Sequence, residues 1–362
     1  MRRFNTIDKS EVDAIGRTLD RTLKDGVLSG YIGTKPYGGP ECLALEGEWS
    51  KTFGSKYSVA VNSATSGLLA ACMAIEIQPG DEVIVSPYTM SATAAAPKLL
   101  GAKLVFADIE DQTFCMDPAE ASLAITSKTK AIIVTNLFGH PARLYDLRRL
   151  CDENGIYLIE DNAQGVLAKE SIDYAGTVGH IGVFSLNVHK QIQTGEGGVC
   201  TTNSSELSRK LREAMNHGEM RGGILGLNLR MTEITASMAR AQLPKAAKII
   251  ESRKQMAGYI TNYVKHFKLP VRPPVVRDNC EHAWYCWAGL LKTLVRREDW
   301  TADSPFKLGY VQPLYKMPVF EQDIKLEMVE AMENRIVLVE LCAHDLEQEE
   351  IAQMVTNLGK IL

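Results

Sequence analysis

The chain has 362 residues, 45% of them hydrophobic and 23% charged, with a formal net charge of −4. That length suits two domains, one large and one small, and the slightly acidic balance excludes the basic surface that nucleic-acid binding requires. Met1-Arg2-Arg3 runs into a polar segment and no apolar run approaches the roughly eighteen residues of a membrane span. A cytoplasmic protein with no membrane partner is therefore expected. The eight cysteines, at 42, 72, 115, 151, 200, 280, 286 and 342, show no CxxC pairing. They read as free buried thiols in a reducing compartment, with neither disulfides nor a metal site.

In chain order, residues 8–25 read as a helix, capped by Asp8 or Ser10, with Val12, Ile15, Leu19 and Leu23 on one face and Gly26 as the stop. Gly30 to Pro40 is too rich in glycine and proline for regular structure and forms either a linker or a loop over a site. Leu43 to Phe53 is helical again. The strand Tyr57–Val61 then meets the polar turn Asn62–Gly67, which opens a small-residue helix at Leu68–Ile75. Such a turn at a helix N-terminus suits an anion, with Thr65 and Ser66 adding hydroxyls. Strands at 82–85, 103–106, 131–134 and 156–159 follow, separated by helices from about Ser91 and at 145–154. Near-continuous apolar strands alternating with helices predict an α/β fold whose mostly parallel sheet is covered on both faces. Ligands in such folds sit beyond the strand C-termini, which singles out Asn62–Ser66, Tyr88–Met90, Asn136, His140 and Glu160–Gln164.

Beyond these lies Gly182-Val183-Phe184-Ser185, then Lys190, then the turn Gly195-Glu196-Gly197-Gly198 and a second strand, 199–202. A lysine on a constrained loop between strands is a candidate Schiff-base lysine, since burial depresses its pKa and frees the amine to attack a carbonyl. Asp161, just past the strand 156–159, is expected to point out of the sheet end at the same crevice. A phosphate at Thr65-Ser66, an aldehyde at Lys190 and a ring nitrogen at Asp161 together describe pyridoxal phosphate. Downstream, Ser205–Asn216 reads as a helix, Met220–Gly226 as a glycine-rich loop, and 232–265 as a long helix kinked near Pro244. His282–Leu291 is expected to be a strand, and Tyr310–Tyr315 resembles a substrate-side loop of the enzyme family described next. Glu321–Leu341 and Glu347–Leu362 are expected to be helices. Residues 1–254 are assigned to the large domain and 255–362 to a smaller α+β domain.

The ordered set Asn62-Ser63-Ala64-Thr65-Ser66, Pro87–Met90, Leu137–Pro141, Glu160–Gly165, Ser185 with Lys190, Gly195–Gly198, Asn216-His217-Gly218 and Gly226–Met231 resembles the fold type I pyridoxal-phosphate aminotransferases. Within these it is similar to the DegT-type sugar aminotransferases. The resemblance implies that Lys190 holds the cofactor and moves the proton, that Asp161 pairs with the ring nitrogen, and that Gln164 lies by the ring hydroxyl. It further implies that Ser185 and the Ala64-Thr65 backbone hold the phosphate, joined by Asn228 from the neighbouring subunit of a homodimer with shared sites. The position of the ring-stacking aromatic in relatives falls on Met90, with Tyr88 the alternative. Ala64 replaces the usual glycine, and Lys292–Gly309 is short for the family. The implied reaction moves an amino group from L-glutamate to a keto sugar, usually nucleotide-linked. Family dehydratases carry histidine where the lysine stands, and His189 is adjacent, but Lys190 keeps the register five residues after Ser185. A dehydratase and a non-catalytic regulator are the alternatives.

Overall fold

The computed structural model describes residues 6–29, 38–219, 223–294, 307–309 and 312–341. Its strands in chain order are β1 (Tyr57–Val61), β2 (Glu82–Val85), β3 (Lys103–Phe106), β4 (Thr129–Thr135), β5 (Tyr157–Asp161), β6 (Lys169–Glu170), β7 (Asp173–Tyr174), β8 (Ile181–Ser185) and β9 (Gly198–Thr202). Then come β10 (Val271–Arg272), β11 (Cys280–Glu281), β12 (Cys286–Leu291), β13 (Lys307–Leu308) and β14 (Ile336–Glu340). The main sheet has seven strands in the order β1-β9-β8-β5-β4-β2-β3. β9 runs against its neighbours β1 and β8, and the other pairings are parallel. The apolar runs at β2, β8 and β9 are buried along their whole length, as helices on both faces require. The expected α/β fold with a mostly parallel mixed sheet is what forms.

The helices are α1 (Lys9–Asp25), α2 (Pro40–Phe53), α3 (Ala64–Ala74), α4 (Ala92–Leu99), α5 (Pro118–Leu123), α6 (Leu144–Asn154), α7 (Ser205–Met215), α8 (Glu233–Gln242), α9 (Ala246–His266) and α10 (Glu327–Met332). Of the two caps open for α1, Asp8 is used: it accepts from Ser10 N–H at 2.7 Å while Glu11 reaches back to Asp8 N–H. Gly26, at φ 71°, ends the helix. α2 begins at Pro40, three residues before the expected start, because proline suits a first helical turn. The expected break at Pro244 is a single 3₁₀ turn, Leu243–Lys245, between α8 and α9.

One core joins the main sheet (Val61, Val83, Ile132, Ile159) to residues near the C-terminus (Cys286, Leu290, Leu314, Ile336). A second packs Trp49 and Phe53 of α2 against Phe184 and Val199. The third lies between α9 and an antiparallel sheet ordered β10-β12-β14-β13, with Met256, Ile260, Trp287 and Val339 at its centre. No helix among the described residues is long and apolar enough to cross a membrane. All seven described cysteines are free, six of them buried.

Three expectations need correction. Glu321–Leu341 is not one helix: α10 covers six residues, and Ile336–Glu340 pairs with both β12 and β13. Three of the four residues in the apolar run Ile336-Val337-Leu338-Val339 are β-branched, and sheet pairing outweighs the helical propensity around it. The strand expected over His282–Leu291 starts only at Cys286, since residues 283–285 turn aside to bond the main domain's Phe138–Gly139 segment. α3 starts at Ala64, so the polar turn is the helix's own first turn. The expected helix 347–362 lies outside the described residues, as do most of the loop 30–40 and parts of 220–226, 292–309 and 310–315.

Candidate active site

Four strands end along one edge of the main sheet, beneath one helix. Register pairs Gly198 with both Val61 and Ser185, and Asp161 with both Thr135 and Val183. The C-terminal residues of β1, β4, β5 and β8 thus share one edge of the sheet. α3 rises from that edge. Its cap Ser63 accepts from Ser66 N–H at 3.1 Å, and Ser63 O takes Gly67 N–H. The first-turn N–H groups of a helix have no intrahelical acceptor, so those of Ala64 and Thr65 are left for an anion. Gly198 lets this helix end sit so low: a Cβ there would lie 2.7 Å from Ala64 N and 2.9 Å from Phe184 O.

Between these groups is a cavity of about 390 Å³, within the range of small-ligand sites. Ser63, Ala64, Thr65, Met90, Asp161, Gln164, Ser185 and Lys190 all line it. Asp161, the last residue of β5 and not a loop residue beyond it, is 4% exposed. Thr93 donates its hydroxyl to Asp161 Oδ2 at 2.7 Å and Ala163 N–H donates to Oδ1 at 3.2 Å. Burial pushes the carboxyl up from the ordinary range, while the Thr93 and Ala163 bonds and the Lys190 charge oppose that rise. Lys190 is 8% exposed, and burial drives its amine down to about 8 despite the opposing pull of Asp161. The two groups feel each other's charge yet form no ion pair, leaving the space between them open.

The other site candidates fall as follows. Gln164 Oε1 accepts from Phe138 N–H at 2.6 Å, and Ser185 Oγ from Asn187 N–H at 3.3 Å. Met90 is 57% exposed at the cavity mouth. Tyr88 lies elsewhere: it is fully buried, and a Cβ at Gly309 would fall 2.0 Å from its hydroxyl oxygen. Its ring is committed to the core between the two sheets, so it does not line the cavity. Asn228 is exposed on the bridge to Asn216 and is likewise absent from the lining. Arg230 donates Nη1 to Asn216 Oδ1 at 2.6 Å.

Sequence reasoning missed Thr93, 68 residues from the carboxylate it bonds. It belongs to a relay in which Thr135 donates to Thr89 and Thr89 meets Thr93. Isolated threonines carry no signal of this kind. Tyr285, with Lys190 Nζ 4.6 Å from its ring centroid, was also missed. It falls within the segment His282–Leu291, whose pattern signals only a strand.

Comparison with known proteins finds aminotransferases by both sequence and fold. A UDP-N-acetyl-3-dehydro-alpha-D-glucosamine 3-aminotransferase of Acidithiobacillus ferrooxidans is 32% identical over 90% of this chain and 89% of its own length. A GDP-perosamine synthase of Escherichia coli O157:H7 is 30% identical over 74% of this chain and 75% of its own. Among solved structures, the aminotransferase from Psychrobacter cryohalolentis superposes with a TM-score of 0.85 at 26% identity, covering 98% of this chain and 97% of that one. DesV of S. venezuelae, solved with a ketimine intermediate, gives 0.86 at 25% identity over 97% and 93%. The profile of one family matches residues 27–359, and on that match the chain belongs to the DegT/DnrJ/EryC1/StrS aminotransferase family.

Proposed function

We propose that this aminotransferase moves the amino group of L-glutamate to the keto carbon of a nucleotide-linked sugar, using pyridoxal phosphate. The observation that carries the reading is the cavity itself, in which a buried amine, a buried carboxylate and a helix N-terminus converge. The residues fit the cofactor. A pyridinium N–H would give Asp161 the charged partner that burial otherwise denies it. Lys190 would hold the aldehyde carbon, Ser63, Ala64, Thr65 and Ser185 the phosphate, and Gln164 the side of the ring hydroxyl. Met90 offers a thioether to the ring. Bound there, the cofactor supplies an electron sink for the carbanion formed when the amino-bearing carbon loses its proton.

Lys190 takes that proton and returns it at the other end of the transfer. With its amine brought down to about 8, an appreciable share is neutral and able to accept a proton near pH 7 to 8. The names of the relatives, acting on UDP- and GDP-linked sugars, support the substrate class. Asn228, exposed and away from its own cavity, is suited to reach the phosphate of a second copy in a two-fold dimer. Residues 1–254 would form the large domain and 255–362 the small one, supported by the separate antiparallel sheet that follows α9. The buried free thiols support a reducing, cytoplasmic setting.

The test is to add pyridoxal phosphate to the protein and to its Lys190→Ala variant, then supply L-glutamate with a panel of nucleotide keto sugars. A Lys190-dependent absorbance band and release of 2-oxoglutarate are expected. A band without 2-oxoglutarate would move the assignment to a dehydratase. No band at all would leave a non-catalytic member of the fold.

A further inference from the structure

Tyr285 stands where the free lysine must go. Lys190 Nζ lies over the face of its ring, 4.6 Å from the centroid, and both side chains line the cavity. An aromatic face attracts a cation through its quadrupole, more strongly where water is excluded. The ring is held there by bonds from three directions. From the main domain, Gly139 O accepts Ala283 N–H at 2.8 Å and Phe138 O accepts Tyr285 N–H at 3.1 Å. From the lysine's own loop, Gln191 Nε2 donates to Gln164 O at 2.7 Å and to Ala283 O at 3.3 Å. From α9, the fully buried Arg253 donates Nη1 to Tyr285 O at 3.1 Å and to Trp284 O at 3.4 Å.

The turn also adopts costly geometry. Trp284 has φ 48°, rare for a residue with a side chain. Gly139, at φ 96°, lets the two turns meet: a Cβ there would stand 2.9 Å from Tyr285 N and 3.0 Å from Trp284 N. Because Gln191 ties the lysine loop and the ring-bearing turn together, the distance between amine and ring is set by the backbone.

We infer that Tyr285 is a positioning residue for Lys190, its ring face holding the amine inside the cavity whenever that amine is free. The inference rests on Lys190 being the catalytic amine. A free lysine side chain is long and flexible, and its obvious alternative partner is the Asp161 carboxylate. Collapse onto Asp161 would block the place of the ring nitrogen and remove the amine from the carbon it must serve. Docked on Tyr285, the amine stays near that carbon and leaves Asp161 open.

The test uses the full chain freed of cofactor and three proteins: wild type, Tyr285→Phe and Tyr285→Leu. Competitive acylation of Lys190 across pH, read by mass spectrometry, reports the amine's titration without any turnover. Loss of the ring in Tyr285→Leu is expected to lower the apparent Lys190 pKa by about half a unit. With cofactor restored, kcat for the glutamate half-reaction is expected to fall about tenfold while KM for glutamate changes little. Tyr285→Phe, which keeps the ring face, should recover most of both effects. The inference is overturned if Tyr285→Leu titrates and turns over like wild type, or if Tyr285→Phe is impaired as much as Tyr285→Leu. In either case a normal Lys190-dependent band in the wild type would leave the proposed function standing, whereas absence of that band would defeat the function itself.

Discussion

At the α3 end of the cavity the groups are neutral and partly wet: Thr65 is exposed, and Ser63 and Ser66 are half-buried. At the opposite end they are ionisable and dry, with Asp161 at 4% and Lys190 at 8% exposure. A phosphate carries its charge in with it and needs only oriented N–H and O–H dipoles, which cost little to keep solvated. Proton movement needs groups whose pKa values are displaced, and displacement requires burial. The two ends therefore stress the fold differently. The anion end depends on how closely backbone segments approach, and the reactive end on keeping charges out of water.

Lys190→Met breaks the dry end most severely. On the proposed function, activity is expected to fall by at least about 10³-fold, because no second amine would replace Lys190 as nucleophile and base. The same change should stabilise the cofactor-free protein. The folded-state value of about 8 lies below the ordinary 10.5, so between these pH values the unfolded chain binds more protons and stability rises with pH. Below pH 8 the full penalty of the buried ammonium applies, roughly 3 kcal/mol by linkage. Thermal melts should therefore show the variant more stable at pH 7, with the gap closing as pH approaches 10.5. A gap that does not vary with pH would mean the amine is not desolvated as described.

Asp161→Asn is next in size. On the proposed function, removing the charge that would stabilise a ring cation is expected to lower kcat on the order of 10²-fold, measured as single-turnover release of 2-oxoglutarate. Without the carboxylate's pull the Lys190 amine should titrate lower still, moving the pH profile to the acid side. The smallest effect belongs to the wet end. Gly198→Ala forces a methyl against Ala64 N and Ser63 C, each 2.7 Å away. Overpacking of that kind costs about 1–3 kcal/mol. A lower melting temperature and weaker cofactor retention, with the Lys190 titration unmoved, would confirm that the two ends fail independently. A shift in that titration would show that they are coupled.

Much of this was legible from local pattern. The strands at 57–61, 82–85 and 103–106 appear as read, because short apolar runs between glycine and polar turns leave few alternatives. Lys190, Asp161, Ser185 and the Ala64-Thr65 turn were each visible as polar residues at the ends of such runs, and all of them line one cavity. Tyr88 shows where this logic fails. It too follows a strand, but whether a side chain after a strand turns into the crevice or into the core depends on what packs beside it, here Gly309, over two hundred residues downstream. Ile336–Glu340 fails for a related reason, as its strand exists only because β12 and β13 flank it.

What the residues determined unaided was the alternation of strand and helix, a candidate amine and a candidate carboxylate at the ends of apolar runs, and a helix end suited to an anion, since all three follow from pattern along the chain. Only the tertiary structure decided that Thr93 bonds Asp161, that Gly198 seats α3, and that Tyr285 lies under Lys190. Those are meetings between segments distant in sequence, and their geometry is set by burial and close packing across the sheet edge, which no local periodicity encodes.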